Sequence, residues 1–260
     1  MIGYILAIFV GISLGLIGAG GSILTVPILV YVMKMDAVTA TGYSLFVVGI
    51  SALVGAVRSF IKQQVQLSTV VLFGIPSIIT AIVVRSFLLP LIPAVLFRIG
   101  KFEFTKDIFL LLLFAVVMIA ASINMIKPQK SKVDKWPGLP LVIAIGILVG
   151  SITGLAGAGG GFLIIPSLVL FLKLPMKTAI GTSLVIICLN TLASFTGGLI
   201  HTHIDWKLLL TFTALSVVGI FIGFGLSNRI SSAKLKPIFG WFVLFMGIYI
   251  IFEELILKDY

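Results

Sequence analysis

An apolar stretch interrupted by glycines occurs twice in this chain, as GLIGAGGSILTVPILVYVMK from Gly15 to Lys34 and as GLAGAGGGFLIIPSLVLFLK from Gly154 to Lys173. A shift of 139 positions matches 11 of the 20 residues, among them Gly18, Ala19, Gly20, Gly21 and Pro27 on Gly157, Ala158, Gly159, Gly160 and Pro166. Downstream, Thr39, Ala40, Gly42, Ser44 and Leu45 fall on Thr178, Ala179, Gly181, Ser183 and Leu184, and Ser51 falls on Asn190. Self-similarity at one fixed offset in an apolar chain points to two structural repeats with a shared site at their interface.

Hydrophobic residues make up 60% of the chain and charged ones 10%, with a mean hydropathy of +1.29, which leaves too little polar surface to cover a water-soluble globule. The expectation is an all-α integral membrane protein of the cell membrane, crossing it several times. A bilayer core needs about 20 apolar helical residues, and eight segments supply them, at approximately 2–33, 37–57, 67–89, 107–126, 138–172, 178–200, 206–227 and 237–257. Four fall in a repeat spanning 1–126 and four in a repeat spanning 138–260, joined by a polar basic linker at 127–137. Between the third and fourth segments, FRIGKFEFTKD alternates charge with aromatics as an interfacial stretch would. No basic region precedes the first apolar run, so that segment is expected to be retained rather than cleaved. Cys188 is the only cysteine, which excludes an intrachain disulfide.

The formal charge of +10 comes from 18 Lys and Arg against 8 Asp and Glu. The basic residues lie in connections and at segment ends without a continuous basic face, so they fit lipid headgroups and not nucleic acid. The densest group, Lys127, Lys130, Lys132 and Lys135, lies in the linker.

Segments one and five are too long for an ordinary crossing, because more than 30 helical residues span about 45 Å against a core of about 30 Å. Each holds GAGG and then a proline that cannot donate the backbone bond of a continuous helix. Both are therefore expected to be discontinuous helices, either crossing fully or turning back at the glycines. If they turn back, the two halves are inverted and the sides carry 11 and 7 basic residues, with the linker on the richer, cytoplasmic side.

All eight carboxylates lie at segment edges or in connections, so none is expected at mid-membrane, where cation and proton carriers commonly keep one. The apolar segments offer glycines, hydroxyls and an amide instead. Backbone N–H groups and neutral donors can replace the hydration shell of a small anion, and a broken helix turns its positive N-terminal end inward. Thr41, Tyr43, Ser44 and Ser51 follow the first break; Thr182, Ser183, Asn190, Thr191 and Ser194 follow the second. Interhelical or local backbone bonding is the alternative fate of each hydroxyl, and close helix packing is the alternative use of the glycines, as expected for Gly11 with Gly15, Gly150 with Gly154 and Gly219 with Gly223. His201 and His203 fit an interfacial belt beside Asp205 and Trp206 better than a metal site, and Arg85 fits headgroup contact better than anion binding. No cofactor motif is present.

These residues resemble the TauE/SafE sulfite exporter family, the toluene-sulfonate uptake permeases. The likeness lies in GISLGLIGAGGSILTVP with TATGYSL, and again in GSITGLAGAGGGFLIIP with TAIGTSL. The copies differ at Ser22 against Gly161 and at Tyr43 against Thr182. The resemblance implies a multi-pass permease for sulfite, a sulfonate, sulfoacetate or a related sulfur-containing anion, in either direction. The candidate substrate-binding set is Gly20, Gly21, Gly159 and Gly160 as backbone donors and Ser44, Ser51, Ser183 and Asn190 as orienting groups, with Ser22, Gly161 and Thr182 where the copies diverge. The partners expected are a small anion, membrane lipids and, in a homo-oligomer, further copies of the chain. Two rival readings are a non-transporting membrane subunit or assembly factor that uses its small residues for packing, and an intramembrane enzyme, for which Cys188 lacks a recognisable His partner and no acid pair exists.

Overall fold

A computed structural model describes residues 2–18, 20–35, 37–88, 91–93, 95–99, 102–126, 138–156, 161–198, 204–230 and 232–253. Helices dominate. Segment one is α1 (Ile2–Ile17) followed by α2 (Gly20–Pro27), whose end relaxes into a π-turn at Ile28–Val32 directly after Pro27. Then come α3 (Ala37–Ile61) and α4 (Leu67–Leu88), the latter loosened by π-turns at Val70–Gly74 and Val84–Leu88. Strands β1 (Val95–Ile99) and β2 (Phe102–Thr105) form an antiparallel hairpin where the interfacial stretch was expected, with the rings of Phe97 and Phe104 stacked at 4.6 Å. Helix α5 (Lys106–Ile126) closes the first half. The second half repeats the order with α6 (Leu139–Ala156), α7 (Gly161–Leu170), α8 (Met176–Gly198), α9 (Trp206–Arg229) and α10 (Ser232–Phe252).

The eight expected segments are all present, and the differences are at their ends: α3 runs four residues further, and α10 begins five residues earlier and takes Pro237 inside it. Four helices among the described residues are long and apolar enough to cross a membrane: Thr39–Ile61, Leu67–Leu88, Met176–Phe195 and Trp206–Ser227. They are segments two and three of each half.

Segment one turns back. Gly18 ends α1 with φ +84°, a left-handed conformation that glycine adopts without strain, and its N–H still donates to the Leu14 carbonyl at 2.7 Å. A side chain at Gly21 would come within 3.3 Å of the Val10 carbonyl, and one at Gly3 would run into the thioether of Met33. In one unbroken helix residues 3 and 33 would stand about 45 Å apart. The segment is therefore a helical hairpin, and its first arm, 16 residues or about 24 Å long, stops short of a full crossing. Its equivalent turn, at 157–160, lies outside the described residues. The chain leaves both segments in the same way: Lys34 and Lys173, 139 apart, have φ of 56° and 55°, after bonds from Met35 to Leu29 and from Leu174 to Leu168.

The main packing is between halves. α1 runs parallel to α9, where Gly11 and Gly15 sit against the carbonyls of Ser216 and Ile220, and Gly219 and Gly223 answer against those of Ile8 and Ile12. α6 runs parallel to α4 in the same manner, with Gly150 and Gly154 against the carbonyls of Ser77 and Ala81. Adding 139 to 11 gives 150, and subtracting it from 216 gives 77, so one contact is the copy of the other with the halves exchanged. These are the small residues expected to let helices touch.

Helices α3 and α8 cross antiparallel: Gly49 lies against Thr191 and Leu192, Gly55 against Leu184, and Gly181 against Ser59. Two equivalent helices that meet antiparallel are related by a two-fold axis perpendicular to them, which inverts one half relative to the other in the membrane. Eight full crossings would instead make α3 and α8 parallel. The hairpin and the crossing thus agree on inverted repeats.

Candidate functional site

The α3/α8 crossing pairs positions whose numbers sum to about 240, and 51 with 190 lies next to its centre. Since 51 plus 139 is 190, the pseudo-two-fold axis passes between Ser51 and Asn190. Both are buried, at 1% and 2% exposure. Of the repeat-equivalent hydroxyl and amide pairs singled out in the sequence, this is the one that the fold places next to the centre of the crossing.

Each has a partner position on the next helix. Ser51 Oγ bonds Ser216 Oγ of α9 at 3.0 Å. The repeat equivalent of Ser216 is Ser77 on α4, the helix that packs on α8, where Gly74 touches Ile186. Ser77 is fully buried and its Oγ has no hydrogen-bond partner. Asn190 makes interactions of its own, but its Oδ1 accepts no hydrogen bond. A buried polar group left unmatched costs about 1–3 kcal/mol, so one half of the interface carries polar capacity that the other half has satisfied.

Ser44 and Ser183 do not meet. Each lies seven residues before Ser51 or Asn190, about 10 Å along its helix, and the antiparallel crossing sends them in opposite directions. Ser44 is 1% exposed, and the hydroxyl of Ser183 donates to the Ile180 carbonyl at 2.9 Å. Thr182 Oγ1 accepts the Gln66 N–H at 3.0 Å, and Tyr43 Oη accepts the Asp205 N–H. Gln66 and Asp205 are also 139 apart, so the diverging pair Tyr43 and Thr182 fastens the start of the following helix in the other half. Asp205 caps α9 through a bond from the Leu208 N–H.

Gly20 opens α2 and Gly161 opens α7, and these two return helices pack on each other, while Gly21 is pressed against Leu14. Gly159, Gly160, His201, His203, the linker and the side chains of Ser22 and Arg85 lie outside what is described. Every fully buried polar side chain among the described residues is a hydroxyl or an amide; none is ionisable to a carboxylate or ammonium. Ser77 and Ser216 were not singled out in the sequence, although Phe73–Ser77 falls on Phe212–Ser216 at the same offset.

The family described as Sulfite exporter TauE/SafE matches residues 4–250. The chain belongs to the TauE/SafE family. A TauE/SafE protein of this architecture is a multi-pass membrane transporter, with the repeat interface at its centre. Full-length likeness extends to a "Probable membrane transporter protein" of Xylella fastidiosa, 29% identical over 94% of this chain and 92% of that one. A Bacillus subtilis "Probable membrane transporter protein YunE" is 25% identical over 96% of both chains. A "Probable membrane transporter protein" of Methanocaldococcus jannaschii is 38% identical, over 43% of this chain and 44% of its own length.

Proposed function

We propose that this TauE/SafE protein is a secondary transporter for a small sulfur-containing anion such as sulfite, a sulfonate or sulfoacetate, bound between the repeats and released by alternating access. The observation that carries this reading is Ser77, a fully buried hydroxyl with no hydrogen-bond partner on the helix that packs on α8, whose repeat copy is satisfied by Ser51. An unused donor in a water-poor interior suits a ligand that supplies an acceptor and little else. Neutral hydroxyl and amide groups meet an anion without placing a competing negative charge beside it. The first-turn N–H groups of α2, at Gly20, Gly21 and Ser22, have no intrahelical acceptor and carry the positive end of the helix dipole. The sulfur chemistry is drawn from the family description.

Inverted repeats supply the motion. Two halves with the same packing, one inverted, have two arrangements of similar energy related by the pseudo-two-fold axis, and exchanging them moves the opening from one side to the other. Proteoliposomes loaded with sulfite or sulfoacetate are expected to pass the anion faster than protein-free vesicles. Ser77→Ala is expected to raise KM about tenfold, the equivalent of one lost bond to a charged group. Equal flux with and without protein would sink the proposal.

A further inference from the structure

A second polar feature lies away from the neutral interface. Where α3 ends and α8 begins, a small recess opens beside α1 and α9. Arg58, Lys62 and Lys177 line it with Ser59, Gln64 and Gly15, and no carboxylate among the described residues does. The Arg58 guanidinium lies 4.3 Å over the ring of Phe224, another lining residue. Stacking uses the face of the guanidinium and leaves its N–H donors, which lie in its plane, for other partners. Burial, and after it the charges of Arg58 and Lys177, lower the pKa of the Lys62 ammonium below the ordinary lysine value. Three cationic side chains thus share one recess.

The recess is next to the turn of the first hairpin: it is lined by Ile180, and a side chain at Gly18 would come within 2.8 Å of Ile180 Cγ2. Its charge is not duplicated. The positions 139 away from Arg58, Lys62 and Lys177 are Gly197, His201 and Val38, counted forward for the first two and backward for the third. Scaffold contacts recur in both halves of this molecule, as the paired glycines and hydroxyls do, whereas this cluster belongs to one side only.

We infer that the recess is an oxyanion-binding site that captures the substrate at the linker-side mouth of the transport route. Its ligand is a small group with two or three charged oxygens on sulfur or phosphorus, a chemistry that free sulfite shares with a lipid phosphate. The capture role rests on the transport reading above; the binding does not.

The test uses the full-length protein in a nonionic detergent, with thermal unfolding followed at constant ionic strength. Sodium sulfite is one probe and dihexanoylphosphatidylglycerol the other. Sulfite is expected to raise the unfolding midpoint saturably. In Lys62→Gln/Lys177→Gln its affinity is expected to fall about tenfold or more, with the anion-free midpoint unchanged. Lys207→Gln, at the other end of α9, is expected to leave sulfite binding intact. If the double variant does not fold, Arg58→Lys takes its place: it keeps the charge but loses the forked donor, and about threefold or greater weakening is expected. The inference is overturned if wild type does not bind sulfite, if the variants bind it as well as wild type, or if only the lipid shifts the midpoint. Liposome flux separates the two claims. Recess-dependent binding without flux would leave the recess standing and the transport reading fallen, and flux with unaltered binding in the variants would do the reverse.

Discussion

Serine 77 and serine 216 occupy the same place in two copies of one design, and only Ser216 is answered, by Ser51. Stability should therefore respond differently to their loss. Ser51→Ala and Ser216→Ala are each expected to cost about 1 kcal/mol, with the double variant costing less than the sum, because both remove the same bond. Ser77→Ala removes no bond, so its unfolding midpoint should match wild type or exceed it while transport suffers; a fall as large as for Ser216→Ala would show that Ser77 is merely structural. The glycines offer a second contrast. Any side chain at Gly11 or Gly150 meets a backbone carbonyl that cannot swing aside, so Gly11→Leu and Gly150→Leu should abolish a monodisperse size-exclusion peak. Gly42 has nothing within 4 Å, and Gly42→Ala should stabilise by about 0.5–1 kcal/mol through helix propensity. The close-packing glycines were legible from their four-residue spacing. Ser77 was not, since only Phe and Ser recur around it, and its importance depends on which helix it faces.

At the scale of elements, length alone made a break in segment one unavoidable, and composition placed it at the glycines. The direction of the chain after the break was not legible, because a left-handed Gly18 and a simple kink cost the same in sequence; the antiparallel meeting of α3 with α8 decides it. Cysteines at Gly138 and Pro175, both exposed and on either side of segment five, test it directly in a Cys188→Ala background. A hairpin leaves both reactive to an impermeant maleimide from the same side of the membrane. Reaction from opposite sides would mean that segment five crosses. The basic recess was illegible for a related reason: Arg58, Lys62 and Lys177 read as unrelated segment-end charges until the crossing brings the end of α3 against the start of α8.

In the whole molecule the repeats are units of sequence more than of packing. α1 finds its seat on α9 and α6 finds its seat on α4, and the two central helices cross one another. The duplication was legible from the offset, but the exchange of partners was not, since a repeat aligned to itself says nothing about whom it touches. The exchange bears on how such a chain is made. Gly11 leaves the ribosome 205 residues before Ser216, and at about 5–20 residues per second the first hairpin waits about 10–40 s for the helix that covers its glycine face. During that interval the nascent first half sits in lipid with an uncovered groove, open to the wrong helix or to quality-control proteases. Residues 1–126 expressed alone should be degraded, and co-expression with residues 127–260 should restore both pieces.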